Sequence, residues 1–229
     1  MTADTDIPAR LNVVRERIAQ ACELAHRDVA SVRLVLASKT QPPEAVAAAY
    51  AAGARDFGEN YVQEALAKRA ALTHLNDAQW HMIGHLQSNK VRVAVENFDI
   101  IHTLDGTRLA TALSRARPSP PMPVLIEVNL GGEASKSGVG PDAVAALIDS
   151  SRGLVEVRGL MTIPPPAENS LAAHRWFAQL RDLRDRLTTA TGLALTELSM
   201  GMTDDYEAAI EEGATIVRVG RAVFGERLG

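Results

Sequence analysis

The sequence predicts one α/β domain spanning residues 1–229, a (β/α)8 TIM barrel with an extra N-terminal helix. Three observations carry that prediction. Short β-branched runs alternate with alanine- and leucine-rich amphipathic stretches along the whole chain, the pattern of repeated strand-helix units on a parallel sheet. Eight strand candidates recur every 20 to 40 residues or so, about the length of one strand, one loop and one helix. No glycine-rich GxGxxG follows the first strand, where Thr40 Gln41 Pro42 Pro43 stands instead, so the open doubly wound sheet lacks its main signal.

An amphipathic stretch at about Pro8 to His26 comes first and reads as a helix ahead of the barrel. Strand one begins near Arg33 and runs through Leu34 Val35 Leu36 Ala37 Ser38 to Lys39, and the prolines open a helix over 43–52 that Gly53 closes. Strand two begins near Asp56 with a helix over 61–72, strand three near Gln79 with a helix over 89–96, and strand four near Ile100 with a helix over 107–116. Strand five begins near Pro123 and is followed by a helix over 141–151, and strand six near Val155 by one over 171–189. Strand seven begins near Ala194, with a helix over 204–211 closed by Gly213. Strand eight begins near Ala214 and has no helix signal after it, a gap that the N-terminal helix can fill. The proline-rich segments 117–123 and 163–166 are too short for domain hinges, so one domain is the economical reading.

Composition narrows the function. With 46% hydrophobic residues the chain can bury a sizeable core. Its net charge of −4, without a basic block, does not suggest a nucleic-acid partner. Cys22 is the only cysteine, which leaves no internal disulfide and no cysteine-rich metal site. The N-terminus is polar and acidic, and no apolar run reaches membrane-spanning length, so a cytoplasmic protein without membrane contact is expected.

The working face of such a barrel lies at the C-terminal ends of its strands. Lys39 ends strand one there. An ammonium drawn toward an interior loses hydration, which favours the neutral amine that attacks an aldehyde to form an imine; a stem along the core with its head in water is the structural alternative. Strand seven ends in Leu198 Ser199 Met200 Gly201 Met202 Thr203 and opens a helix, a setting that suits a phosphate if Thr203 or Asp204 does more than cap the helix. On strand eight, Arg218 and Gly220 share parity, whereas Arg221 points elsewhere unless the strand has ended. Arg218 in an apolar strand needs either a carboxylate such as Glu127 or a ligand atom. Asn60, in Phe57 Gly58 Glu59 Asn60 Tyr61, either caps a helix or projects into the site. His81 and His85 are about 13 Å apart if in a strand, and Met82 stands where HExxH requires Glu, so no metal site is expected. In Gly131 Gly132 Glu133 Ala134 Ser135 Lys136 Ser137 Gly138 the lysine lacks the glycine that precedes it in a nucleotide-binding loop.

Taken together, Ala37 Ser38 Lys39 Thr40, Phe57 through Glu64, Trp80 His81 Met82 Ile83 Gly84 His85 Leu86 Gln87 Ser88 Asn89 Lys90, Lys136 Ser137 Gly138, Gly159 through Ile163, and Leu198 through Met202 resemble the pyridoxal phosphate homeostasis proteins, the YggS/PROSC group. The resemblance covers nearly the whole chain in order. It implies a barrel of the alanine racemase N-terminal type with pyridoxal 5′-phosphate (PLP) held as an imine on Lys39. It also implies Asn60 near the cofactor ring, Ser199, Met200 and Gly201 on one side of the phosphate, Gly220 and Arg221 on the other, and Arg218 facing the pyridine nitrogen. Many relatives have Thr or Ser where Arg221 stands, which removes a hydroxyl from the expected phosphate site.

The expected function is PLP binding in PLP homeostasis, by storage, buffering or delivery, with PLP-dependent apoenzymes as acceptors and no catalytic residue. The alternative is a PLP-dependent amino-acid racemase. Two-base racemization needs a second acid-base group, which racemases resembling this fold take from an extra β-domain and a partner subunit, and only four residues follow Gly225 here.

Overall fold

The computed structural model describes residues 6–133, 136–166 and 169–225. Eight parallel strands close into a barrel in sequence order, β1 (Arg33–Ala37), β2 (Asp56–Glu59), β3 (Gln79–Met82), β4 (Ile100–Leu104), β5 (Pro123–Glu127), β6 (Glu156–Met161), β7 (Glu197–Ser199) and β8 (Ile216–Val219). Closure pairs the two ends of the series, with Val35 opposite Arg218 and Leu36 opposite Val219, while Ala37 lies opposite Gly58 of β2.

The sequence pattern accounts for the outer ring. Helix α1 (Ile7–Leu24) starts where the Asp6 carboxylate accepts from Ala9 N at 3.0 Å, and it buries Leu11, Val14 and Ile18 at helical spacing. Helices α2 (Pro43–Ala51), α3 (Val62–Ala71), α4 (Val91–Asn97), α5 (Thr107–Ala116), α6 (Val144–Ser151), α7 (Ser170–Thr191) and α8 (Tyr206–Glu211) follow β1 through β7 in turn. Gly53 and Gly213 have φ of +87° and +97°, the left-handed conformation that ends α2 and α8. Helices α4 and α6 start later than expected because a 3-10 turn precedes each, over Ser88–Lys90 before α4 and Pro141–Ala143 before α6.

The expectation that no helix follows strand eight needs correction: a single turn, α9 (Arg221–Phe224), does. It is too short to cover the barrel wall, and α1 packs against α2, α8 and α9 to complete the ring. The main apolar core lies between strands and helices, and a smaller cluster of Val35, Ile100, Leu125, Met161 and Ile216 fills the barrel interior. Among the described residues no helix is long and apolar enough to cross a membrane, and no group of three or more His, Cys, Asp or Glu side chains could hold a metal ion. Met1 to Thr5, and Ala134 and Ser135 of the rejected nucleotide loop, lie outside the described residues.

Candidate functional site

The end of β1 is held from below. Buried Lys68 of α3 donates to the Ser38 carbonyl and to Glu59 Oε1, both at 2.6 Å, and Ser38 Oγ donates to the same carboxylate oxygen at 2.6 Å. Burial pushes the Glu59 carboxyl up from its ordinary value, opposed by Lys68 and Ser38. Gln41 N closes a turn onto the Ser38 carbonyl at 3.0 Å, and Thr40, at φ +63°, donates its amide to Glu64 Oε2 at 3.1 Å. Lys39 sits on this braced turn, half-buried at the barrel mouth.

There it lines a cavity of about 260 Å³ together with Asn60, Arg218, Gly220 and Arg221. Arg218 and Gly220 both line it, as their shared strand parity predicts. A side chain on Gly220 would put its Cβ 3.0 Å from the Ala37 carbonyl oxygen, so glycine lets β8 close onto β1. Strand eight ends at Val219, which turns Arg221 onto the first turn of α9 and into the same cavity. Arg221 ion-pairs with Asp204. Asn60 lines the cavity and does not cap α3, whose N-cap residue is Tyr61.

The loop after β7 contributes differently from expectation. Met202, Thr203 and Asp204 line the cavity, whereas Ser199, Met200 and Gly201 are buried and do not. Ser199 faces the barrel interior, where its hydroxyl accepts from Arg218 Nη1 at 2.6 Å and lies 2.9 Å from His102 Nδ1. Met200 packs in the outer core. Gly201, at φ +90°, lets α8 approach, since an added Cβ would sit 2.5 Å from Ala209 Cβ. Neither Thr203 nor Asp204 caps α8; the N-cap is Asp205, whose carboxylate takes the Met202 amide at 2.6 Å. Thr203 Oγ1 instead accepts from Gly220 N at 3.4 Å, tying the two loops together.

Arg218 is 4% exposed, and its partners are neutral: Ser199 Oγ, and the Thr162 carbonyl at 2.9 Å. The expected carboxylate partner, Glu127, makes no ion pair with it; burial draws the guanidinium down to about 10, with Asp205 and Glu127 opposing from a distance, so it stays charged at neutral pH. Glu127 instead lines an adjoining cavity of about 300 Å³ that shares Asn60, Ile83 and Ile163 with the first. Its Oε2 is buried without a hydrogen-bond partner, and burial raises its pKa to about 6.

Comparison with known proteins follows the same outline. The family model for the alanine racemase N-terminal domain matches residues 10–228. The chain is 50% identical over 218 residues to the pyridoxal phosphate homeostasis protein of Pseudomonas aeruginosa, covering 93% of each chain, and 47% identical to that of Aquifex aeolicus, covering 95% of this chain and 97% of the other. The chain belongs to the pyridoxal phosphate homeostasis protein family. Among solved structures, PipY of Synechococcus elongatus PCC7942 is 43% identical with PLP bound, at a TM-score of 0.81 over 93% of this chain and 100% of that one. The same protein without PLP gives 0.82 over 92% and 99%. Alanine racemase of Clostridium difficile, 12% identical at a TM-score of 0.74, shares the fold. Within the pyridoxal phosphate homeostasis family frame, the reading of the residues missed Lys68 and Glu59, since a charged pair on a helix and a strand reads as surface until the fold buries it. It also missed Met202 and Thr203 as cavity residues, although the string Ser199 to Thr203 pointed at their loop.

Proposed function

We propose that this chain binds PLP, holding it as a reversible imine on Lys39, and serves PLP homeostasis in the cytoplasm by storing, buffering or delivering the cofactor to PLP-dependent apoenzymes. The observation that carries this reading is the convergence of Lys39, Asn60, Arg218, Gly220 and Arg221, from both ends of the chain, on one cavity. Its volume, near the lower end of the ~300–1,000 Å³ usual for ligand cavities, suits a ligand with a single ring. PLP supplies an aldehyde that a lysine amine captures reversibly and a ring that can take up electrons.

The chain's own residues would do the rest. Lys39 provides the amine, and Asn60 lies beside the ring. Arg218 faces the ring nitrogen and can only donate, so that nitrogen stays largely unprotonated and the ring is a weak electron sink. Gly220 and Arg221 receive the phosphate on one side, with the first amides of α9, which by helix geometry lack intrahelical acceptors. Met202 and Thr203 receive it on the other, with Ser199, Met200 and Gly201 setting the loop from behind. An incoming phosphate would replace Asp204 as the partner of Arg221.

Titrating PLP into the purified protein should develop a visible imine absorbance that borohydride fixes on Lys39. Lys39→Ala should abolish both signals, and trapping on any other residue instead would overturn the assignment. Racemization of alanine should run no faster than with free PLP, and turnover well above that level would defeat the carrier reading.

A further inference from the structure

The interior of the barrel holds a line of polar side chains that reaches from the cavity to the opposite face. Arg218 Nη1 donates to Ser199 Oγ at 2.6 Å, Ser199 Oγ lies 2.9 Å from His102 Nδ1, and His102 Nε2 lies 2.9 Å from His81 Nδ1. His81 Nε2 then lies 3.0 Å from Asp56 Oδ1. The first four members are at most 4% exposed, and Asp56, 20% exposed at its side chain, opens onto a cavity of about 310 Å³ at the N-terminal ends of the strands. The two imidazoles meet edge to face, 67° apart.

Chemistry at the two ends, with an acceptor required for every buried hydrogen, selects one direction along the line. An arginine can only donate, so Ser199 accepts from it and has its own hydrogen to give to His102 Nδ1. His102 is fully buried, and burial, followed by the neighbouring His81, holds it well below its ordinary pKa, so it is neutral and carries its one hydrogen on Nε2. That hydrogen goes to His81 Nδ1. An ionised carboxylate can only accept, so His81 gives its Nε2 hydrogen to Asp56. Each buried donor and acceptor along the line is thereby satisfied once, with the cation at one end and the anion at the other.

We propose that His102, His81 and Asp56 are positioning residues for Arg218, joined to it through Ser199 in a one-way chain of hydrogen bonds that crosses the barrel interior. The chain fixes the plane of the guanidinium that faces the cavity. It also occupies the Ser199 hydroxyl, so that Ser199 serves the site by orienting Arg218. The proposal rests on the reading of that cavity as a PLP site, and its test separates the two.

Long-range proton-nitrogen NMR correlations of the imidazoles in the full, 15N-labelled chain without PLP should find His81 and His102 neutral and protonated on Nε2 at pH 7. A hydrogen on His102 Nδ1 overturns the proposal, whether or not PLP binds. Asp56→Ala, made at the far face, should weaken PLP binding roughly tenfold, the scale on which outer-shell partners act on a ligand site. It should also release the His81 tautomer. Asp56→Asn keeps an acceptor oxygen and should restore most of the affinity. PLP affinity within twofold of wild type in Asp56→Ala overturns the positioning role, and should that variant not fold, the wild-type tautomers and Asp56→Asn decide. A wild-type chain that takes up no PLP counts against the PLP reading, while the tautomers still judge the chain of bonds.

Discussion

At the scale of single residues, burial without a partner is the informative state. Glu127 is 8% exposed, and its carboxyl rises from 4.5 to about 6 mainly because burial penalises the charged form, with Asp105 adding to it. The folded protein therefore holds that proton more tightly than the unfolded chain does, and the stability this gives is complete below about pH 4.5 and lost as pH rises through about 6. Glu127→Gln should remove that loss and leave the ligand-free protein about 2 kcal/mol more stable at pH 7, with a flatter profile between pH 4.5 and 6. Denaturant midpoints across that range check it. Sequence alone identified Glu127 as a potential partner of Arg218. It could not show that Ser199 and a backbone carbonyl would take the guanidinium instead, because partners drawn from β7 and from the residue just after β6 become visible only once the strands are in register.

At the scale of elements, the order and type were legible from periodicity, and most strand starts fell within a few residues of their expected places. The limits lie where an element's length is set by its neighbours. Strand β7 starts at Glu197, later than its first apolar residues suggest, since Leu195 packs into the outer core before pairing begins. Strand β6 carries one extra residue, for Val124 pairs with Val157 and Leu125 with Gly159, so the pleat is reset at Arg158. No sequence pattern announces that irregularity, yet it makes Gly159 indispensable. A Cβ at Gly159 would lie 1.8 Å from the Glu197 carbonyl oxygen. Gly159→Ala should therefore part β6 from β7 and cost roughly 3 kcal/mol or more, at the upper end of single-site effects. Circular dichroism and a chemical denaturation curve would show it, and a loss below about 1 kcal/mol, the centre of ordinary single-site effects, would mean the strands yield easily.

At the scale of the molecule, the N-terminal helix does the work of the helix that α9 is too short to be. Leu11 of α1 is wholly buried against the barrel, so Leu11→Ala should destabilise the fold by about 2–5 kcal/mol, with the lowered denaturant midpoint as its measure. The Arg17 to Glu207 pair that also ties α1 to α8 is half-exposed and adds ~1 kcal/mol at most. The ring topology itself was legible from eight successive strand-helix units, but the pairing of β1 with β8 has a consequence in time as well as in space. Lys39 leaves the ribosome well before Arg218, Gly220 and Arg221 are made. Because domains fold as units and pairings distant along the chain form late, a nascent polypeptide interrupted before residue 216 would carry the amine without the cradle. Capture of a ligand at this mouth would then report that synthesis had passed the eighth strand and the ring had shut.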